Sequence, residues 1–130
     1  MKRMVILFIL VLVIITGCNS KENGIEGISI SIKEGTLTNT SATIIIKDTT
    51  NKNYSYDDEF YIEKKTDNKW KKLKCNNCWF NLPVYRVNEN KILELSCNWE
   101  LMYGKLEKGK YKLVKKVDNK KISIEFTINN

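Results

Sequence analysis

Three cysteines in the middle of the chain are the only cluster of reactive side chains: Cys75 and Cys78, in a C-x-x-C spacing, and Cys97 beyond them. Four uses fit those residue types. Cys75 or Cys78 could bridge to Cys97, because Leu73, Cys75 and Cys97 share an inward phase, and an oxidising compartment would keep such a bond. All three could instead fill a core as small apolar side chains. The C-x-x-C could exchange thiols, although such motifs work at a helix N-terminus in an α/β setting. Three thiolates could hold zinc, although structural zinc calls for two such pairs or for histidines. The bridge to Cys97 is the expectation, and it leaves an odd thiol available for intermolecular pairing.

The chain has no histidine. That removes the commonest general base, the commonest metal ligand and every Ser-His or Cys-His nucleophile. Paired carboxylates can cleave glycosides, but Asp57, Asp58, Glu59, Glu63, Glu94, Glu100 and Glu125 fall in a loop or at outward strand phases, where solvation is the ordinary role. Asp57-Asp58-Glu59 lacks the glycine and the spacing of a calcium loop. The reading is therefore of a protein that is not an enzyme, with no cofactor and no metal site.

The elements that would position these residues are short strands separated by turn residues. Ile28, Ile30 and Ile32 alternate with serines. Ala42, Ile44 and Ile46 share one face of a strand over 42–47, and the polar residues from Asp48 to Asn53 read as a loop. A third strand is expected over 59–65 and a fourth over 69–74, joined at Asp67-Asn68. Residues 79–87 carry Pro83, the only proline, and read as an edge or bulged strand. Leu93, Leu95, Cys97 and Trp99 face inward from a strand over 91–99, and residues 100–104 read as a helical turn. A final hairpin joins 109–117 to 121–128 across Asp118-Asn119, with Ile122, Ile124, Phe126 and Ile128 inward. Seven or eight strands in about 100 residues is the size of an immunoglobulin-like β-sandwich, and Gly109-Lys110-Tyr111 has the spacing of a tyrosine corner.

The N-terminus carries a different kind of chemistry. Lys2 and Arg3 precede an unbroken apolar run from Met4 to Ile15, and small residues follow. That order is a secretory signal. The run is well short of the roughly 20 residues a spanning helix needs. Ile15-Thr16-Gly17-Cys18 resembles the lipobox of bacterial lipoproteins. The resemblance implies that Cys18 receives a diacylglyceryl group and becomes the new N-terminus, anchoring the chain to the membrane. Residues 1–17 are then the signal peptide, 18–24 a lipidated tether and 25–130 the folded domain, on the extracytoplasmic face of a cell membrane.

Lysines and arginines number 22 against 15 acids. Setting aside Lys2 and Arg3 leaves an excess of five, scattered and almost all lysine, with Arg86 the only arginine. Nucleic-acid surfaces concentrate charge and favour arginine, so no nucleic-acid partner is expected. The lysines read mainly as a solvated face that could attract anionic headgroups or wall polymers. Heavy use of Lys, Asn and Ile suggests AT-rich codons and a low-GC Gram-positive source. Trp70, Trp79 and Phe80, with Lys71 and Lys72, form a candidate binding patch for an envelope protein or wall polymer. Trp70, Trp79 and Trp99 are nonetheless expected in the core, Trp99 above all.

The blocks Tyr61-Ile62-Glu63-Lys64-Lys65, Asn68-Lys69-Trp70-Lys71-Lys72-Leu73 and Phe80-Asn81-Leu82-Pro83 resemble the middle of a bacterial immunoglobulin-like domain. The later block Asn98-Trp99-Glu100-Leu101-Met102-Tyr103-Gly104-Lys105-Leu106, followed by Gly109-Lys110-Tyr111, is its most specific part. The resemblance spans residues 25–128. It implies an all-β sandwich outside the cytoplasm, and it implies no enzyme activity and no established ligand. Glu107 stands where the family often has proline. The cysteines are a local feature on which the resemblance is silent. The expected role is a lipid-anchored, non-catalytic binding or structural module of the cell envelope. The alternative is a small envelope redox or thiol protein using Cys75 and Cys78.

Overall fold

Alternation of apolar and polar residues at a period of two puts one dry face on each strand, and two such faces closed on each other make the core. The computed structural model describes residues 24–129. The signal peptide, Cys18 and the first part of the tether lie outside the described residues.

Seven strands and one helical turn follow in order: β1 (Ile28–Ile32), β2 (Ser41–Asp48), β3 (Tyr61–Thr66), β4 (Lys69–Lys72), β5 (Ile92–Asn98), α1 (Glu100–Tyr103), β6 (Gly109–Val117) and β7 (Lys120–Ile128). They form a three-stranded sheet ordered β1-β2-β5 and a four-stranded sheet ordered β4-β3-β6-β7. Every pairing is antiparallel. This is the immunoglobulin-like sandwich expected from the strand spacing.

The inward residues are those the alternation marks. Ala42, Ile44 and Ile46 of β2 meet Leu95 and Cys97 of β5 across the first sheet, and Leu113, Val117, Ile122, Phe126 and Ile128 close the core from the second. Trp99 is fully buried. Its ring stacks on Phe126 at 5.7 Å, and Phe126 stacks in turn on Tyr111 at 5.6 Å. The Trp99 indole N–H donates to the Asn39 carbonyl at 2.8 Å. The Tyr111 hydroxyl donates to the Glu107 carbonyl at 2.6 Å, completing a tyrosine corner even though Glu107 is not proline. Asp67 and Asn68 both sit at left-handed φ, 52° and 61°, the turn that matches the twist of a two-residue hairpin.

Residues 79–87 are not a strand. Their one pairing is an isolated bridge in which Tyr56 and Tyr85 exchange backbone bonds of 2.9 and 2.7 Å. Pro83 lacks the donor a ladder needs, and the chain leaves the sheet after Leu73, whose N–H still donates to the Ile62 carbonyl at 2.9 Å.

Two polar groups are buried where the sequence placed loop and solvent. Asp48, expected to open a loop, is the last residue of β2 and is 4% exposed. One carboxylate oxygen accepts from the Thr50 N–H at 2.9 Å and the Thr50 hydroxyl at 2.6 Å, and the other from the Tyr56 hydroxyl at 2.8 Å. Burial alone would raise this carboxyl. The bonds from Thr50 and Tyr56, with Lys91 nearby, outweigh burial and hold it below its ordinary value. A depressed carboxyl stabilises the fold above the unfolded value of 3.8 and loses that contribution as pH falls through the folded value. Asp48→Asn is therefore expected to flatten the loss of stability below about pH 4, measured by urea unfolding. An unchanged acid limb would show that Asp48 has no part in it.

Lys115 shares the inward phase of Tyr111, Leu113 and Val117 and is 1% exposed. Its ammonium donates to the Asp57 carbonyl at 2.8 Å and the Glu59 carbonyl at 2.7 Å, with an Asp57 carboxylate oxygen at 3.8 Å. It closes the 57–59 loop onto β6. Burial pushes its pKa down, while the carboxylates around it oppose the shift.

Candidate binding surface

The outer face of the four-stranded sheet is built by the alternate residues that the core does not use. β3 contributes Tyr61, Glu63 and Lys65, and β4 contributes Trp70 and Lys72. The register sets Lys65 opposite Trp70, Glu63 opposite both Lys72 and Lys112, and Tyr61 opposite Val114. β6 adds Lys110, Lys112 and Lys116, and β7 adds Lys121 and Glu125, with Glu125 opposite Lys112 and Lys116 opposite Lys121. Six lysines thus share one face with two glutamates. Among the described residues the ion pairs are Lys33–Glu94 and Lys115–Asp57, so none of the six is in one.

Each aromatic ring on this face carries two ammoniums. Lys112 and Lys65 lie over Trp70, 4.4 and 5.8 Å from its centroid, and Lys72 and Lys121 lie over Tyr61 at 4.5 and 5.7 Å. A cation over a ring contributes about 0.5–1 kcal/mol at an exposed site. Two lysines placed directly opposite across a strand pair repel, as Lys116 and Lys121 must. The face therefore concentrates positive charge at some cost to the fold.

The expected patch is divided by the structure. Trp70 and Lys72 belong to this face. Lys71 has the other phase of β4, opposite Lys64. Trp79 and Phe80 lie on the segment after the C-x-x-C, where Trp79 is 87% exposed and Phe80 packs edge-on against Phe60 at 5.6 Å. Neither Trp70 nor Trp79 is a core residue. The strand phase of β4 already distinguishes Trp70 from Lys71, but nothing in the sequence places Trp79.

The cysteines also depart from expectation. Cys75 is bonded to Cys78, with Cα atoms 5.9 Å apart, and Cys97 is free and buried. The bridge to Cys97 does not form. Leu73 and Cys75 do pack on the core in the expected phase, but Cys78, three residues on, takes the Cys75 sulfur in place of Cys97. The bonded pair has the connectivity a thiol-exchange centre needs but sits on a loop, with no helix starting from it. Burial pushes the Cys97 thiol up to about 11, against a smaller opposing pull from Lys115. At such a value the thiolate is scarce near neutral pH, and the thiol is inert. Alkylating the oxidised domain at pH 8 is expected to label no cysteine while it is folded and Cys97 alone once it is unfolded. Rapid labelling of the folded protein, or a mass-mapped bridge to Cys97, would contradict this pairing.

A family model described as a bacterial Ig-like domain matches residues 24–127. No curated protein matches the chain, and no solved structure does. The matched residues include all seven strands but for the last residue of β7. Members of such a family are typically non-catalytic, and the family suggests an extracellular structural or binding module. The sandwich, the tyrosine corner and the matched span lead to one assignment: the chain belongs to the bacterial Ig-like domain family.

Proposed function

We propose that this is a lipid-anchored, extracytoplasmic binding module whose lysine face holds a phosphate-bearing polymer of the bacterial envelope. The observation that carries the reading is the concentration of six unpaired lysines around Trp70 and Tyr61 on one side of a sheet. Closely spaced cations attract a polyanion more than their isolated contributions suggest, because the polymer releases condensed counterions as it binds. Trp70 and Tyr61 are half-buried beneath ammoniums. They present a charged surface rather than the bare aromatic anchors a bilayer interface favours. This supports a polymer over insertion into lipid.

Co-sedimentation tests the reading. Residues 24–130 are expected to bind isolated Gram-positive walls and to lose that binding when the walls are stripped of phosphate polymer. Equal binding to stripped walls would overturn the proposal.

The anchor is a separate part of the reading and rests on Ile15-Thr16-Gly17-Cys18. Two acyl chains hold a protein at a membrane where one does so only marginally. Cys18→Ala is expected to abolish metabolic lipid labelling and to leave unprocessed precursor. Labelling and membrane retention that survive the substitution would refute the anchor.

A further inference from the structure

On another side of the molecule, independent of the lysine face, the segment after β4 borders an open cleft of about 310 Å³. Among the described residues no lysine or arginine lines it, on a chain that carries 22 of them. Asp58 is its one charged side chain. The other polar groups are Asn77 and Asn81 on the segment and Ser96 and Asn98 on β5, with Trp79 exposed among them.

These polar groups have bonding capacity to spare. The Asn98 side-chain oxygen accepts from the Glu100 N–H at 3.1 Å, which leaves its amide donors outward. Asp58 accepts from the Tyr85 hydroxyl through one oxygen, leaving the other open. The β5 backbone adds more. Trp99 N–H donates to the Thr40 carbonyl and Asp48 N–H to the Lys91 carbonyl, so the odd-numbered residues of β5 face β2 and the even-numbered ones face away. Ile92 is satisfied on that side by Asn88. The outward N–H and C=O groups of Ser96 and Asn98 bond to no described residue and border the cleft.

The Trp79 side of the cleft is held in place. The Cys75–Cys78 bond closes the turn immediately before Trp79, and Asn76 N–H donates to the Met102 carbonyl at 3.0 Å. Phe80 is pinned on Phe60. An exposed indole in a fixed loop loses little freedom when a ligand covers it.

An indole face ringed by amides and a hydroxyl suits a ligand with one apolar face and a polar rim. A pyranose has that shape: its C–H groups stack on the ring, while each hydroxyl both donates and accepts, as one Asn amide can do in return. The absence of cations and the presence of Asp58 disfavour phosphate or carboxylate. We infer that this cleft binds a neutral oligosaccharide, and that the Cys75–Cys78 bond is the clamp that preorganises it.

The test is a titration of the oxidised 24–130 domain, followed by NMR at the Trp79 indole N–H. The probes are oligomers of N-acetylglucosamine, glucose, mannose and galactose, each taken to about 10 mM. At least one is expected to shift the Trp79 indole together with the Asn81 and Asn98 side-chain amides. Trp79→Ala should weaken that ligand about tenfold or more with an unchanged melting temperature. The double variant Cys75→Ser, Cys78→Ser should weaken it about threefold or more while the core stays folded. The proposal is overturned if no probe binds, or if Trp79→Ala binds as tightly as the wild type. It is equally overturned if a Thr-Val repeat peptide shifts the Ser96 backbone amide while every sugar leaves it unmoved, because the edge of β5 would then be a peptide site. A cysteine variant of unchanged affinity would overturn the clamp.

Discussion

Trp99→Ala is expected to lower the free energy of unfolding by about 4 kcal/mol, the middle of the range for emptying a core position of this size. Trp99 is fully buried, stacks on Phe126 and donates its indole N–H to Asn39. It also joins the sheets to the helical turn, because its carbonyl accepts from Met102 and Tyr103 N–H groups at 3.1 and 2.8 Å. Truncation removes the stack and the indole bond and leaves a void that Phe126 and Tyr111 can only partly fill. A small domain has about 5–15 kcal/mol in all, so at the low end of that range the variant would keep only about 1 kcal/mol. Trp99→Phe should cost about half as much, since Asn39 keeps a second donor in the Leu106 N–H. Urea midpoints measure both. A loss below about 1 kcal/mol for Trp99→Ala would show that the core is organised elsewhere.

The second large effect concerns binding. Changing Lys65, Lys72, Lys112 and Lys121 together to Gln is expected to weaken binding to a glycerol-phosphate polymer about 100-fold or more at low salt, at roughly 1 kcal/mol for each cation near a charged surface. These are the four lysines over Trp70 and Tyr61. Stability should change by less than about 2 kcal/mol, because lost cation–ring contacts are offset by relief of repulsion across the face. Binding that survives the fourfold change would remove this face from the function. Changing Lys33, Lys52, Lys69 and Lys105 to Gln makes a control of equal charge. It should weaken binding far less, since those lysines lie off the face.

Most of the sandwich was legible because its strands are dry on one side only. Ile44 and Ile46, Leu95 and Cys97, and Phe126 and Ile128 each repeat at two residues, and each pair is buried together. Asp67-Asn68 marked its hairpin because short polar side chains tolerate left-handed φ. The spacing of Gly109 and Tyr111 marked the corner. The misses have two causes: for Lys115 and Asp48 the residue's type hides its phase, and for Cys75 the phase holds but the bonded partner differs. Lys115 has the phase of Leu113 and Val117, but its charge suggested solvent, and the two carbonyls that accept its protons come from a loop distant in sequence. Asp48 closes the inward series of Ile44 and Ile46, yet its type suggested a turn. Cys75 keeps the inward phase of Leu73 and packs on the core, but phase does not choose its partner, and Cys78 lies only three residues on. For the candidate surface, Trp70 and Lys72 were found, but their partners Lys112 and Lys121 come from β6 and β7. Only the register brings those residues beside β3 and β4.

The central claim is that the outer sheet face recognises a polyanion. It is tested most directly by titrating the 24–130 domain with a glycerol-phosphate polymer while following backbone amides at several salt concentrations. Shifts are expected on the outward residues of β3, β4, β6 and β7, with affinity falling steeply as salt rises. Binding indifferent to salt, or shifts centred away from that face, would contradict it.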